Sequence, residues 1–396
     1  MDREIKEFDS LIDLLDDLDR EGITGVQKRR QMEQFLLRKA RLLGRPYCAS
    51  FELTPLCNFD CKMCYMHLTK EQAEREGKIL TTAQWLDIVR QAVDAGVTNV
   101  DLTGGECLTH PGFPEIYAYL VSRGVHVSVL TNGQLINEKI LQLFRQYPPA
   151  VVQISLYGSS PEAYKRVTGR DAFDDVMGNI AKLNEAGIEV SLSLMPNRFM
   201  QDDVEGVLDL LHRLNLRYRI GSNTLPARPE TGRDIDDYIV DNEIYIRISK
   251  QETAYRKKMS EIHNLPEEKK YVFRIKGQEK VTGAPCASGS GNLHINWKGE
   301  LTPCVAFHSV SRSVLEYSLE EAWQWVRDTM KTYQPPAECL DCEYRNACLG
   351  CPAEKTSGIL NGSLNRRVCK RLAELSIPAP TECMQDTRFY DKEYTL

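Results

Sequence analysis

The segment CNFDCKMC, residues 57–64, follows a short apolar run and guides the interpretation of the whole chain. Its cysteines, Cys57, Cys61 and Cys64, have the spacing C-x3-C-x2-C. Fully ligated ferredoxin-type clusters use four cysteine thiolates. Three thiolates can therefore hold a four-iron cluster and leave one iron without a protein ligand. An open iron beside a small-molecule site is a place where a cofactor can bind and be reduced.

A zinc site is the alternative for these cysteines, with His67 as a fourth ligand. Structural zinc sites use closed four-fold ligation and paired cysteine or histidine knuckles. The three cysteines do not supply that set by themselves, so we favour iron and sulfur.

Length and composition narrow the class of protein. A chain of 396 residues fits a barrel-sized domain plus a smaller module. The formal net charge of -6 argues against a nucleic-acid partner, which would call for a basic surface. No apolar run is long enough to span a bilayer, and the first residues lack the order of a signal peptide. Thirteen cysteines without such a signal predict a cytoplasmic protein that uses them for metal.

From Tyr47 onward, short apolar strands alternate with amphipathic helices, a pattern typical of βα units. The predicted strands are 47–53, 97–102, 125–130, 150–156, 188–194 and 217–222. The predicted helices are 81–95, 112–123, 136–146, 173–186 and 203–214. Six units predict an α/β fold with a partial (β/α)6 TIM-like barrel. Polar or glycine-containing segments follow each strand, where barrels place their chemistry.

The remaining segments complete the predicted organisation. Residues 1–45 form a helical segment, either a cap on one barrel end or a substrate-recruiting arm. The barrel takes residues 46–224, and residues 225–285 form a linker with a helix. A small cysteine-rich domain spans 286–383, and a tail covers 384–396.

The cysteine motif, together with Thr103-Gly104-Gly105-Glu106, resembles the radical S-adenosylmethionine (SAM) enzymes. The resemblance implies that the open iron chelates the amino and carboxylate groups of SAM. One electron then cleaves SAM to methionine and a 5'-deoxyadenosyl radical, which abstracts a substrate hydrogen. The family often has an aromatic residue before the third cysteine, whereas this chain has Met63 there and Tyr65 after it.

A second cysteine array resembles the SPASM extension of radical SAM peptide-modifying enzymes. It contains Gly299-x4-Cys304 and the segment CLDCEYRNACLGC, in which the last gap is one residue shorter than usual. The resemblance implies two auxiliary clusters, for a total of three [4Fe-4S] clusters. One would be ligated by Cys339, Cys342, Cys348 and Cys369, and the other by Cys286, Cys304 and Cys351.

The second of these clusters has three matched ligands, which leaves either an open iron or a distant ligand such as Cys383. A zinc ribbon is the alternative for the whole array. Its two C-x2-C knuckles are only five residues apart, which is tight for a ribbon.

The cofactor pocket follows partly from chemistry and partly from the resemblance. A carboxylate at Glu106 suits the SAM ammonium, and glycines allow close approach of the backbone. The predicted cofactor-binding residues are Tyr65, Thr103, Gly104, Gly105, Glu106, Asn132, Ser155, Arg166 and Met195. Simpler roles stay open for four of them: a loop serine, a turn asparagine, a surface arginine and a core methionine.

Two residues are candidates for the chemistry itself. Cys107 could donate a hydrogen atom to a substrate radical, although packing is the favoured role. Tyr157 could gate radical or proton transfer, and packing is again the simpler role. No catalytic base is assigned.

The resemblance implies radical SAM chemistry on a ribosomal precursor peptide, giving a crosslink, thioether, epimerised residue or oxidised side chain. A flavodoxin- or ferredoxin-type protein would supply electrons. The short N-terminal segment suggests that a separate protein recognises the peptide. The alternatives are a formylglycine-forming oxidase like the anaerobic sulfatase maturases, a zinc or iron–sulfur binding scaffold, and a non-catalytic electron carrier.

Overall fold

The computed structural model describes residues 6–221, 225, 227–233, 237–262, 271–277, 283–284, 286–342 and 351–364. Cys348, Cys369 and Cys383 lie outside the described residues.

A nine-stranded sheet with the order β11-β10-β9-β2-β3-β4-β5-β6-β7 organises the fold. Strands β2 to β7 are parallel, each beside the next along the chain. Their bounds are β2 (Cys48–Glu52), β3 (Asn99–Thr103), β4 (His126–Thr131), β5 (Val151–Ser155), β6 (Val190–Leu194) and β7 (Arg217–Ile220). These are the six predicted strands, and the predicted α/β fold with a partial barrel is confirmed.

Three further strands extend the sheet beyond β2. They are β9 (Asn292–Ile295), β10 (Glu300–Thr302) and β11 (Arg312–Ser313). Strand β9 is parallel to β2, with Ser50 opposite His294, whereas β10 and β11 continue antiparallel. The polypeptide that carries the second cysteine array is thus joined to the first barrel strand by backbone hydrogen bonds.

The helices between the strands cover the outer face of the sheet. They are α3 (Lys70–Glu76), α4 (Thr82–Asp94), α5 (Phe113–Ser122), α6 (Glu138–Gln146), α7 (Pro161–Thr168), α8 (Phe173–Glu185) and α9 (Val204–Leu214). Helix α4 begins at the predicted place because Thr81 and Gln84 form a capping box. Phe51 of β2 and Trp85 of α4 pack at 5.8 Å between ring centroids in the common core.

Helices α3 and α7 were not among the predicted helices, and both are short.

The sheet curves so that its alternate, polar residues face an interior. Asp101 of β3 and Arg219 of β7 interact electrostatically, although their strands are four places apart in the sheet. Both side chains are solvent-accessible, yet desolvation by the surrounding protein raises the pKa of Asp101 and lowers that of Arg219, while each charge acts against the shift of the other. Flat strands four places apart would be about 19 Å from one another. The interaction therefore requires a barrel-like closure.

The N-terminal segment contains a strand as well as the expected helices α1 (Leu11–Arg20) and α2 (Gly25–Leu43). The strand β1 (Lys6–Phe8) pairs in parallel with β8 (Phe273–Ile275). Phe8, Leu14, Phe35 and Phe273 belong to a separate small core in this region. Three residues are too few to display a strand period, which is why the sequence pattern missed β1.

Helix α2 also contacts the polypeptide of the second cysteine array. The Arg41 guanidinium donates to Ser290 Oγ at 3.0 Å and to the Cys286 carbonyl at 3.3 Å. The Trp323 indole N–H, in α11 (Leu319–Lys331), donates to the Gly44 carbonyl at 2.9 Å. A short helix, α12 (Pro352–Lys355), follows Cys351.

The bridging region contains α10 (Asn242–Ile262), which packs against the last barrel unit. Glu252 bonds to His212 at 2.8 Å and accepts from the Tyr218 hydroxyl at 2.7 Å. None of the helices in the described part of the chain combines the length and apolar character needed to cross a membrane.

Candidate functional site

The three cysteines of the first motif lie in a loop at the carboxyl end of β2. Backbone N–H groups donate to two of the sulfurs, from Phe59 to Cys57 Sγ at 3.3 Å and from His67 to Cys64 Sγ at 3.3 Å. Burial raises the pKa of Cys57 to about 12 and also raises the pKa of Cys61 and Cys64. The neighbouring cysteines raise the pKa of Cys57 and of Cys61 further. The sulfurs are therefore protonated until a metal displaces the protons.

The middle of this loop is held by the end of α7. Asp60 N–H donates to the Thr168 carbonyl at 3.1 Å, and Lys62 N–H donates to the Val167 carbonyl at 3.0 Å. Among the described residues, the buried Tyr164 hydroxyl of α7 has no hydrogen-bond partner, and it interacts electrostatically with Cys61. A buried donor beside the cysteines suits a partner that carries acceptor sulfur.

Gly104 and Gly105 bring the turn after β3 into backbone contact with residues 54–56. Gly105 N–H donates to the Thr54 carbonyl at 2.7 Å, and Glu106 N–H donates to the Leu56 carbonyl at 2.9 Å. A Cβ atom on Gly105 would lie 2.5 Å from the Leu56 carbonyl oxygen, and one on Gly104 would lie 2.6 Å from that of Thr54. The close approach of the segment that leads into Cys57 thus requires glycine at both positions. Contact of these glycines with SAM stays a prediction.

The Glu106 carboxylate is buried and connects the ends of β3 and β4. It accepts from Thr131 Oγ1 at 2.8 Å, Asn132 N–H at 2.7 Å and Leu108 N–H at 3.1 Å. Burial raises its pKa, and these hydrogen bonds act against the rise. The Cys107 thiol also lies 3.8 Å from Oε1, which accepts from Thr131 and Leu108, whereas Oε2 accepts from Asn132 N–H. A carboxylate oxygen has two acceptor positions, so Oε2 can accept one more hydrogen bond. The predicted contact with an ammonium group is chemically possible and stays a prediction.

Asn132 lies between Glu106 and the cysteine loop. Its side-chain amide donates to Asn58 Oδ1 at 2.8 Å, and the same nitrogen lies 3.8 Å from Cys57 Sγ. Gln134 Oε1 accepts from the Asn58 amide at 2.8 Å. The loop after β4 thus positions the start of the cysteine motif, which the sequence left open between a turn and a pocket role.

Ser155 and Tyr157 lie at the end of β5, on the cysteine side of the barrel. The Ser155 hydroxyl acts to lower the pKa of the Tyr157 phenol, but burial holds that pKa well above its usual range. Cys61 and Cys64 also raise this pKa, which places the phenol near both.

Met195 and Arg166 have contacts away from the cysteines. The Met195 sulfur packs so closely on Gly221 that a Cβ atom there would overlap it. Arg166 is exposed, and its Nε donates to the Phe199 carbonyl at 3.1 Å.

Cys107 is fully buried, and its thiol donates to the Leu130 carbonyl at 3.4 Å. Burial raises the pKa of Cys107 well above its usual range, and the Glu106 carboxylate raises it further. These surroundings are those of a packed core thiol.

A buried charged network that the sequence analysis missed lies beside the cysteine loop. Glu52, at the end of β2, is inaccessible to solvent and pairs with Arg228 Nη1 at 2.8 Å. His294 Nε2 of β9 lies 3.4 Å from Glu52 Oε2, and Arg228 N–H donates to the Tyr65 carbonyl at 2.8 Å. Burial acts to raise the pKa of Glu52, but Arg228 and His294 hold it at about 2. The available signal was a lone carboxylate in the apolar strand before the cysteines.

Tyr65 connects this network to the second cysteine array. Its phenol is surrounded by protein and interacts electrostatically with Glu52, Arg228, Cys64 and Cys304. The backbone of Tyr65 follows Cys64 directly, so both cysteine groups approach the same buried polar region.

Within the second array, Cys286, Cys304 and Cys351 lie close enough to interact electrostatically. Burial raises the pKa of Cys351 to about 12 and also raises that of Cys304. Cys339 and Cys342 are half-buried, whereas their predicted co-ligands Cys348 and Cys369 fall outside the described residues. Within the described ranges, no three histidine, cysteine or acidic side chains converge on a single-ion position.

The first cysteine loop suits an iron–sulfur cluster. Its ligands are three buried or half-buried sulfurs, and backbone N–H groups and the buried Tyr164 hydroxyl lie around them. Hydrogen bonds to sulfur are among the features that tune such clusters.

Comparison with known proteins agrees with this site. A model of the Radical SAM superfamily matches residues 51–211, which include the cysteine loop and the turn with Gly104 and Gly105. The subtilosin biosynthesis protein AlbA of Bacillus subtilis is 27% identical over 264 residues, covering 66% of this chain and 55% of AlbA. The sporulation killing factor maturation protein SkfB of the same organism is 25% identical, covering 77% of this chain and 69% of SkfB.

A solved structure extends the likeness over most of the chain. Streptococcus suis SuiB bound to precursor peptide SuiA superposes with a TM-score of 0.63, covering 93% of this chain and 84% of SuiB. The two sequences are 16% identical, so the likeness concerns the fold. Residues 51–211, which carry the cysteine loop on the predicted barrel, therefore form a radical SAM domain.

Proposed function

We propose that this protein reductively cleaves SAM and uses the resulting carbon radical to modify a ribosomal precursor peptide. The observation that carries the proposal is the buried loop of Cys57, Cys61 and Cys64 beside Glu106 and Asn132, at the carboxyl ends of the barrel strands. This is the end at which barrel enzymes assemble their active sites. A four-iron cluster and SAM, when bound there, supply the electron and the radical.

The residues of this chain hold and shield that chemistry. The three cysteine sulfurs would ligate the cluster, and Glu106, held by Thr131 and Asn132, would accept a hydrogen bond from the SAM ammonium. Ser155 and Tyr157 would face SAM or the substrate from β5. Glu106 and Asn132 are 1% and 8% exposed, which limits access of water.

The peptide substrate is inferred from the relatives. AlbA and SkfB are named for bacteriocin biosynthesis and for maturation of a killing factor, and SuiB was solved with a precursor peptide. We extend this to two auxiliary [4Fe-4S] clusters, one of them at Cys286, Cys304 and Cys351. A flavodoxin- or ferredoxin-type reductant, a separate peptide-recognition protein and a cytoplasmic location complete the proposal.

Anaerobic reconstitution with iron and sulfide, followed by dithionite and SAM, tests the radical chemistry. We expect release of 5'-deoxyadenosine and about twelve irons per chain, the content of three four-iron clusters. The C61A variant should release none, whereas C48A, which changes a cysteine within β2, should behave as the unmodified protein.

Each other outcome corrects a particular part of the proposal. About four irons with 5'-deoxyadenosine release would remove the auxiliary clusters and keep the radical chemistry. Zinc without SAM cleavage would refute the function. An aldehyde product with the loss of two hydrogens would identify a formylglycine-forming oxidase instead.

A further inference from the structure

Arg233, in the bridging region, contacts the backbone of the first cysteine loop directly. Its Nη1 donates to the Cys61 carbonyl at 2.7 Å and to the Cys64 carbonyl at 3.1 Å. Its Nη2 lies 3.3 Å from Asp60 Oδ1. Arg233 lies outside the segment that matches the superfamily model, so the family resemblance does not assign it a role.

The arginine is held in place by a compact turn. Arg233 N–H donates to Thr231 Oγ1 at 3.3 Å, and the Thr231 hydroxyl donates to the Arg228 carbonyl at 2.7 Å. Arg228 is itself fixed by Glu52 and by the Tyr65 carbonyl. The guanidinium side chain is 25% exposed, so its charge is less screened than that of a surface group. Its planar fork suits two carbonyl acceptors better than an ammonium would.

We propose that Arg233 is a positioning residue that favours one-electron reduction of the cluster held by Cys61 and Cys64. The inference rests on the proposed function, because it requires the four-iron cluster. When the oxidised cluster accepts one electron from dithionite through a mediator, the charge of the cluster becomes more negative by one. A fixed positive charge beside two of its ligands stabilises the reduced form more than the oxidised form.

Asp60 provides the opposite sign at the same place. Its carboxylate contacts both Arg233 and His67, at 3.3 and 3.5 Å, and its side chain is 73% exposed. Removal of the Arg233 charge should therefore lower the cluster potential, and removal of the Asp60 charge should raise it. The effect should be smaller for Asp60, because its side chain is exposed.

The test is a redox titration of the reconstituted full-length protein. The reduced cluster is measured by the electron paramagnetic resonance signal that responds to SAM. At a fixed ambient potential, R233Q should lower the ratio of reduced to oxidised cluster about tenfold, a shift of about 59 mV for a one-electron couple. R233K keeps the charge and should recover most of the ratio. D60N should raise the ratio.

R256Q is the matched control, because the Arg256 side chain is 27% exposed and pairs with Glu252, away from the cysteines. It should leave the ratio unchanged. An unchanged ratio in R233Q, or shifts of the same sign in R233Q and D60N, would overturn the inference. If R233Q does not retain the cluster, the sign of the D60N shift decides. Absence of a SAM-responsive signal in the unmodified protein would instead refute the proposed function, and this inference with it.

Discussion

Replacement of Glu52 by glutamine tests the buried network beside the cysteine loop. The E52Q variant keeps the shape of the side chain but leaves the Arg228 charge without its carboxylate. Glu52 is fully buried, and its two oxygens bond to the Arg228 guanidinium at 2.8 and 2.5 Å. Removing one partner of a buried ion pair costs about 3–5 kcal/mol.

The pKa of Glu52 gives an independent magnitude. It falls from 4.5 to about 2 on folding, because Arg228 and His294 outweigh the effect of burial. At 1.36 kcal/mol per pKa unit, this corresponds to about 3 kcal/mol of stability at pH 7. Since the pKa is lowered in the folded state, the contribution is complete above about pH 4.5 and is lost as the pH falls towards 2. The cost of removing a buried ion partner and the pKa of Glu52 therefore give similar values for the contribution of this carboxylate to stability.

Urea unfolding of the full chain, followed by tryptophan fluorescence and circular dichroism, measures this loss. We expect E52Q to lower the free energy of unfolding by about 3 kcal/mol at pH 7. The difference between the two proteins should shrink by about 1 kcal/mol by pH 4.

The control is E138Q, because the exposed Glu138–Arg145 pair at 2.9 Å should contribute less than about 1 kcal/mol. A loss below about 1 kcal/mol in E52Q would refute the reasoning. The same conclusion would follow if E52Q and R228Q had additive effects, because a buried pair requires coupling between them.

Two further substitutions test the packing of the site. In G105A, the new Cβ atom would lie 2.5 Å from the Leu56 carbonyl oxygen, so we expect severe loss of iron per chain after reconstitution. The control is G178A, whose new Cβ atom would have no neighbour within 4 Å and which should bind iron normally. Normal loading of G105A would contradict the close backbone contact. In C107A, loss of a buried sulfur next to the Leu130 carbonyl should cost about 1 kcal/mol of stability and leave both 5'-deoxyadenosine and modified peptide unchanged. Deoxyadenosine release without modified peptide would instead identify Cys107 as a hydrogen donor.

Local patterns in the sequence predicted the elements that depend on neighbouring residues. The alternation of short apolar segments with amphipathic helices located the strands β2 to β7 to within two residues at each end. The helix predicted over residues 81–95 begins as expected at its N-cap Thr81, because its capping box is complete within four residues. The spacing of Cys57, Cys61 and Cys64 predicted the iron–sulfur interpretation, since all three sulfurs belong to one loop.

Contacts between distant segments were decided by the tertiary structure. Glu52 and Arg228 are 176 positions apart, and nothing local to either residue specifies the other as its partner. Strand β9 pairs with β2, and β8 with β1, although a strand's own period does not encode which edge it will join. Arg233 is likewise brought to Cys61 across 172 positions.

The amino-acid sequence by itself therefore determined the barrel units, the cysteine motif and the turn with Gly104 and Gly105. The tertiary structure decided which buried charges surround that motif and how the second cysteine array joins the first strand. The physical reason is that periodicity, caps and short spacings act within a few residues. The pairing of buried charges and strand edges depends instead on the packing of the whole chain.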